Sequence, residues 1–405
     1  MTPAKRVIIV GGGPVGAVAA LALHRRGVPV LLLEREPWPI EDQRAASIQP
    51  SAFEMLADLG LADIMLTNGL VSPIYHFWDR VTATRIAAFD HGVLHADTRF
   101  PFVVQYEQFK LVRAAMEAIG ETPDVEFRFG CAVTEVTQTA DDVTVAFDGP
   151  DGTETARGAY AIGCDGFRSV VRRCAGIELE GFTYPQRFIK IGTTFDFFST
   201  GQPYSTRNFF FDPDEWCNLF KVGGYGPPGI WRCVFPTREE EAGAEALQPA
   251  SIQARMQKFF PKAGDYPISY AAFYDVHQRV AARFNHGRIV LAGDAAHVNN
   301  PIGGQGMNSG IHDAVNLAQK LAGILHDGDD PSVLDRYSRQ RRKAQVDFVQ
   351  QNTIHNKKML EAREPEARQR YFDDLRRTAE DATRARQFLR RATLIDSVEA
   401  AEAMA

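Results

Sequence analysis

The chain has 405 residues, 45% hydrophobic and 24% charged, and 45 Lys+Arg against 51 Asp+Glu leave a formal charge of −6. That length predicts two or three domains rather than one core. The mild acidity excludes a nucleic-acid binder working through a large basic surface, and no uncharged apolar run is long enough for a membrane span. Five scattered cysteines without Cys-x-x-Cys, and ten histidines without His-Glu-x-x-His, indicate neither a disulfide framework nor a metal site. A reducing, cytoplasmic setting fits that usage.

Val7-Ile8-Ile9-Val10 reads as a buried parallel strand rather than a leader. Gly11-Gly12-Gly13-Pro14-Val15-Gly16 follows and matches the GxGxxG turn. Pro14 suits a first helical position. An Ala-rich helix then runs to Gly27, and Val28 to Leu33 forms a second strand ending at Glu34. Gly11 permits the tight turn, Gly13 clears space for a pyrophosphate, and Gly16 lets helix approach strand. The helix N-terminus offers free N–H groups to the anion. Glu34 can accept both ribose hydroxyls and would repel a 2′-phosphate, so the bound nucleotide is expected to be FAD or NAD rather than NADP.

Farther on, Tyr160-Ala161-Ile162-Gly163 is a short strand running into Asp165-Gly166, a turn signal before a helix near Ser169. Asp165 is equally placed to cap that helix. Segments 186–196, 206–222, 230–236 and 267–275 have strand composition, with Gly223 to Gly229 a turn between two of them. Glu239-Glu240-Glu241 and the Ala-rich stretch after it suggest a covering helix. Arg288 to Ala292 is another strand, ended by Gly293-Asp294, where a carboxylate can hold a polyol hydroxyl. Pro301 to Asn308 is a glycine-dense loop before a helical pattern from Ser309 to Ala322. Beyond residue 350, segment 362–391 predicts one amphipathic helix with Leu375, Ala379, Ala382, Phe388 and Leu389 inward. It serves as a solvated cap or as a dimer contact.

The GxGxxG turn, Asp165-Gly166 and Gly293-Asp294, in that order, resemble the group A flavoprotein monooxygenases, the para-hydroxybenzoate hydroxylase-like FAD-dependent aromatic hydroxylases. Arg279-Val280-Ala281-Ala282-Arg283-Phe284 and Asn308-Ser309-Gly310-Ile311-His312-Asp313 look nearest the phenol and 3-(3-hydroxyphenyl)propionate hydroxylase-like branch. The resemblance covers about residues 6 to 345 and implies an α/β fold: a Rossmann-like FAD-binding domain, an inserted antiparallel-sheet substrate domain and a C-terminal helical segment. The expected domains are 1–72, 97–180 and 276–350 for FAD, 73–96 and 181–275 for substrate, and 351–405 for the C-terminal helices.

The resemblance also implies site roles. Gly11, Gly13, Pro14, Gly16, Glu34, Arg35, Arg44, Gln105, Val133, Asp165, Arg168 and Asp294 are the expected cofactor-binding residues, with Gly304, Gly306, Met307 and Asn308 in a loop facing the flavin's pyrimidine edge. Asp165 and Arg168 belong to a motif implicated in NAD(P)H binding as well. Pro301 would line the reactive face. The reaction implied is hydroxylation of a phenolic or N-heteroaromatic small molecule through a flavin C4a-hydroperoxide, consuming NADH or NADPH and O2. A base or relay near the substrate hydroxyl is required, and Arg232, Tyr270 and His277 are the catalytic candidates, with Asn218 and Tyr274 near them. His297 reads as structural, and Trp78, Trp216 and Trp231 as core or pocket wall. No metal, nucleic acid or membrane partner is expected, and the protein is expected to be a monomer or homodimer. Other readings are a flavin dehydrogenase or halogenase of the same fold, though no Trp-x-Trp-x-Ile-Pro occurs, and a non-catalytic dinucleotide-binding protein.

Overall fold

A computed structural model describes residues 6–41 and 44–404. Val7–Val10 is wholly buried and pairs in parallel with Val30–Leu33 on one side and Tyr160–Gly163 on the other. Six strands stand in the order Asn285–His286, Ile289–Leu291, Tyr160–Gly163, Val7–Val10, Val30–Leu33, Val125–Arg128. Only Asn285–His286 runs antiparallel to its neighbour. The central strands are continuous apolar runs because both faces of a parallel sheet are covered. The chain leaves Val7–Val10 towards one neighbour and returns on the other, so a crevice opens at its carboxyl end.

Three small antiparallel sheets accompany this layer. One consists of Ala132–Gln138, Val143–Gly149 and Gly152–Gly158. A second joins Ser47–Ile48 and Leu70–Ser72 to Val103–Gln105. The third joins Leu179–Thr183 and His297–Val298 to His277–Ala281.

The second large sheet has seven strands: Ile268–Tyr274, Phe188–Thr193, Ile230–Pro236, Cys217–Val222, Arg207–Phe211, Ile74–Asp79 and Thr84–Asp90. It is antiparallel except where Arg207–Phe211 meets Ile74–Asp79, because there two distant chain segments join side by side. Gly223 to Gly229 connects two neighbours, in keeping with its composition. Helix Pro249–Phe259 covers one face with Ile252, Met256 and Phe259 over Trp78, Trp231 and Phe197.

The C-terminal helices cover the opposite face. The single helix expected over 362–391 is two, Pro365–Glu380 and Ala382–Ala392. Asp381 breaks it, its carboxylate accepting from the N–H groups of Thr383 at 2.9 Å and Arg384 at 3.0 Å, a cap stronger than the local helical pattern. Ala382, expected inward, is therefore exposed at the new first turn. Phe372, Leu375 and Leu389 are buried, and Phe388 stacks on Phe89 at 4.5 Å. No helix among the described residues is long and apolar enough to cross a membrane, and the five cysteines are free thiols.

Candidate functional site

Four adjacent strands end on the same edge of the six-stranded sheet, and each delivers a polar turn there. Val7–Val10 leads to Gly11–Gly16, Val30–Leu33 to Glu34, Tyr160–Gly163 to Asp165, and Ile289–Leu291 to Asp294. The strand ends carrying Glu34 and Asp294 are three strand spacings apart, about 14 Å. Gly11 has φ +104°, and a Cβ there would lie 2.5 Å from the Cys164 carbonyl. A Cβ on Gly16 would lie 1.9 Å from the Gly11 carbonyl, whereas one on Gly13 would meet no atom within 4 Å. The turn is thus packed where protein must pass and open where a ligand could lie. Helix Pro14–His24 has no side-chain cap and no acid in its first turn, so its leading N–H groups face that space unclaimed.

Glu34 is fixed by its own turn: its carboxylate accepts from Gly12 N at 2.5 Å and Glu36 N at 2.9 Å. Arg35 beside it is exposed and ion-paired with Glu36 at 3.2 Å. Val133 lies two residues past Cys131, whose N–H bonds the Glu34 carbonyl at 2.8 Å. Asp165 turns inward: Oδ2 accepts from Val170 N at 2.6 Å and Val171 N at 3.2 Å, starting the next helix. Its other oxygen is buried without a partner, and burial raises its pKa. Arg168 is exposed, its carbonyl receiving Arg173 at 2.6 Å. The Asp294 side chain is open to solvent yet ringed by protein, as at a cleft floor; that surrounding mass raises its pKa against the pull of His297 and Arg44.

A buried network missed in the sequence holds Asp294 in place. Asp313 is fully buried on helix Gly306–Ala322 and accepts from Gly293 N at 3.0 Å, His297 Nε2 at 2.6 Å and Arg341 Nε at 2.6 Å. Arg341 also donates to Ser309 Oγ at 3.1 Å, which Gln345 reaches as well. His297 and Arg341, set against it, hold the Asp313 carboxyl far below the usual range despite burial. One signal was available: Asp313 is four residues before Leu317 and eight before Leu321, a charge on the apolar stripe.

The Pro301–Asn308 loop folds over this crevice. Pro301 is exposed, and its carbonyl accepts from Gly304 N at 3.0 Å, with Gly303 (φ +109°) and Gly304 (φ +65°) completing the turn. Gly304 packs on Ser47, which donates to Gln105 Oε1 at 3.0 Å; Gln105 Nε2 is buried without a partner. The Asn308 side chain is fully engaged, accepting from Gln49 N at 2.8 Å and donating to the Ser47 and Gly304 carbonyls. Gly306, Met307 and Asn308 open the helix, and there too no side chain caps the N-terminus.

Ile302 is buried in the same apolar cluster as Tyr75, Phe77, Phe188 and Val234, so the loop faces the seven-stranded sheet. On that face, residues opposite one another form a row: Arg207, Phe220, Arg232, Gly192, Tyr270. Tyr75 extends it, with Arg207 5.1 Å over its ring. A Cβ on Gly192 would lie 2.2 Å from the Tyr270 ring, so the phenol lies across the glycine beside Arg232. Burial pushes the Tyr270 hydroxyl up to about 12, against the pull of Arg232. Asn218, Lys190 and Tyr274 alternate onto the same face. Phe209, Phe220, Tyr270 and Tyr274 stay half-buried although loop and helices cover the face, so each keeps some accessible surface there.

His277 is not in this group. At residues 275–276 the chain changes sheets, and His277–Ala281 pairs with Leu179–Thr183 instead. Its ring stacks on Phe167 at 4.1 Å and Nδ1 lies 2.9 Å from Thr183 Oγ1. His297 serves the Asp313 network; Trp78 and Trp231 lie in the far core, and Trp216 donates to Glu361 at 3.2 Å.

A family model described as FAD binding domain matches residues 4–352. The chain belongs to that family. It is 32% identical over 386 residues to para-nitrophenol 4-monooxygenase of Pseudomonas sp. strain WBC-3, covering 95% of this chain and 94% of that one. It is 30% identical over 392 residues to 6-hydroxy-3-succinoylpyridine 3-monooxygenase of Pseudomonas putida, covering 96% and 98%. The crystal structure of p-nitrophenol 4-monooxygenase from Pseudomonas putida DLL-E4 superposes with a TM-score of 0.90 at 32% identity, covering 97% of both chains. The protein is an FAD-dependent aromatic hydroxylase.

The hydroxylase's crevice fits FAD on its own features. The open space at Gly13 lies against an uncapped helix end, Glu34 and Asp294 lie on one edge, and the unpartnered Gln105 Nε2 stands beside the loop. Gly13 and the Pro14–Gly16 amides could hold a pyrophosphate, Glu34 a ribose and Asp294 a polyol chain.

Proposed function

We propose that the hydroxylase adds oxygen to a phenolic or N-heteroaromatic small molecule, using NADH or NADPH and O2, in a cavity between the Pro301 loop and the sheet face carrying Arg232 and Tyr270. The observation that carries this reading is the burial of Ile302 in the sheet's own apolar cluster, which sets the loop opposite that face. Bound FAD would accept hydride from the nicotinamide and activate dioxygen.

The chain's residues supply position, dryness and a proton. Glu34, Asp294, Gln105 and the amides from Gly304 to Asn308 are the proposed grips on the cofactor, and Arg44, felt at Asp294, adds positive charge. Pro301 then stands at the reactive face. Phe209, Phe220 and Tyr274 wall the cavity and limit water. Tyr270 keeps its proton at neutral pH and donates from Oη to a substrate oxygen; it is no base. The substrates for which the two relatives are named, a nitrophenol and a hydroxypyridine, support the aromatic class.

The test is NADH and NADPH oxidation coupled to oxygen uptake across nitrophenols, hydroxypyridines and phenolic acids. At least one aromatic should accelerate both and take up label from isotopic dioxygen. A protein that holds FAD but responds to no member of the panel overturns the reading.

A further inference from the structure

The face of the seven-stranded sheet under the Pro301 loop holds a cation that no carboxylate among the described residues neutralises. Arg207 is 7% exposed. Among the described residues no carboxylate lies within 4 Å of it, and its buried Nη1 has no hydrogen-bond partner. Its guanidinium carbon stands 5.1 Å over the Tyr75 ring. A guanidinium left bare in a core is costly, and proteins keep one there when something external completes it.

Among the described residues, the titratable groups beside Arg207 add no negative charge. Burial keeps the Tyr75 phenol protonated. Burial and the field of Arg207 together hold His91 neutral. Burial draws Arg207 itself down to about 10, which leaves it cationic at neutral pH. Lys190 and Arg232 are buried on the same face. Glu107, whose charge reaches Tyr270, is held by Lys110 at 2.8 Å. Phe209, two residues along the strand, and Phe220, directly opposite Arg207, keep part of their surface open, so the guanidinium lies beside accessible surface on this face.

We propose that the substrate binds as an anion, with a charged oxygen, carboxylate or phenolate, seated on Arg207. This rests on reading the cavity as the substrate site. The planar fork of a guanidinium matches such an oxygen, and the incoming charge completes the donor left idle at Nη1. A phenolate seated there stays ionised, the electron-rich form that best accepts oxygen.

The experiment titrates the FAD-loaded enzyme with benzoate and benzamide, and with 4-nitrophenol on both sides of its own ionisation, reading the flavin absorbance change. Wild type should prefer benzoate over benzamide, or nitrophenolate over the neutral phenol, by about ten- to hundredfold. The first pattern assigns a carboxylate, the second a phenolate. Arg207→Gln should erase the preference while the neutral ligand binds as before, and Arg207→Lys should keep part of it. Equal binding of charged and neutral partners by wild type overturns the proposal, with no variant needed, and leaves the hydroxylase reading intact. A preference that survives in Arg207→Gln also overturns it. If no aromatic perturbs the flavin at all, both readings fall together.

Discussion

Replacing Asp313 by Asn tests whether the Gly293–Asp294 turn is held from beneath. The carboxylate is fully buried and receives three donors: Gly293 N, His297 Nε2 and Arg341 Nε. Asparagine has nearly the same shape but offers one oxygen and one NH2 group. Whichever way the amide turns, an N–H faces an N–H, and Arg341, itself 2% exposed, loses its counter-charge. Stripping one partner from a buried ion pair costs about 3–5 kcal/mol. A total stability of ~5–15 kcal/mol makes that about a fifth or more of the whole. At about 1.4 kcal/mol per tenfold, the folding constant falls by more than a hundredfold. Urea unfolding of the apoprotein should show the midpoint drop with an unchanged slope. FAD titration should show weaker binding, because the Gly293 N–H that fixes Asp294 is released. Wild-type midpoint and FAD affinity in Asp313→Asn would refute the reasoning.

Two glycines in one turn should respond oppositely. Gly16→Ala sets a methyl 1.9 Å from a backbone carbonyl that cannot move aside, so destabilisation of about 3 kcal/mol or more and low soluble yield are expected. Gly13→Ala meets no protein atom within 4 Å, so its melting temperature without FAD should match wild type while FAD affinity falls; equal behaviour of the two variants in both assays would show the space at Gly13 to be unused. Acid should weaken the fold early: His312 and His91 are pulled down to about 3 and His76 to about 4, each chiefly by burial. Below pH 6.5 the unfolded chain gains protons that the folded chain refuses, so stability is full above that pH and is lost as pH falls towards 4, by up to ~1.4 kcal/mol per unit for each histidine. Melting followed from pH 8 to pH 5 should show this decline, shallower in His312→Gln, and a flat profile would contradict it.

The order of elements was legible in the sequence because it is written in local chemistry. Val7-Ile8-Ile9-Val10 and Ile289-Val290-Leu291 announce buried parallel strands by lacking polar residues, and glycines announce the turns after them. Gly11, Gly13 and Gly16 could be given separate tasks from spacing alone. The helix break at Asp381 was missed because a capping side chain outweighs a continuous apolar stripe. Tertiary structure alone decided what meets across distance. Asp313 and Arg341 are 28 residues apart, and their pairing under Gly293 exists only once the two helices pack. His277 and Tyr270 are close in sequence yet sit on different sheets, since the strand partner changes between them. Arg207 gave no local sign at all. Its burial beside Tyr75 follows from a parallel pairing of segments more than a hundred residues apart, and charge compensation is a property of the assembled neighbourhood rather than of any stretch of chain.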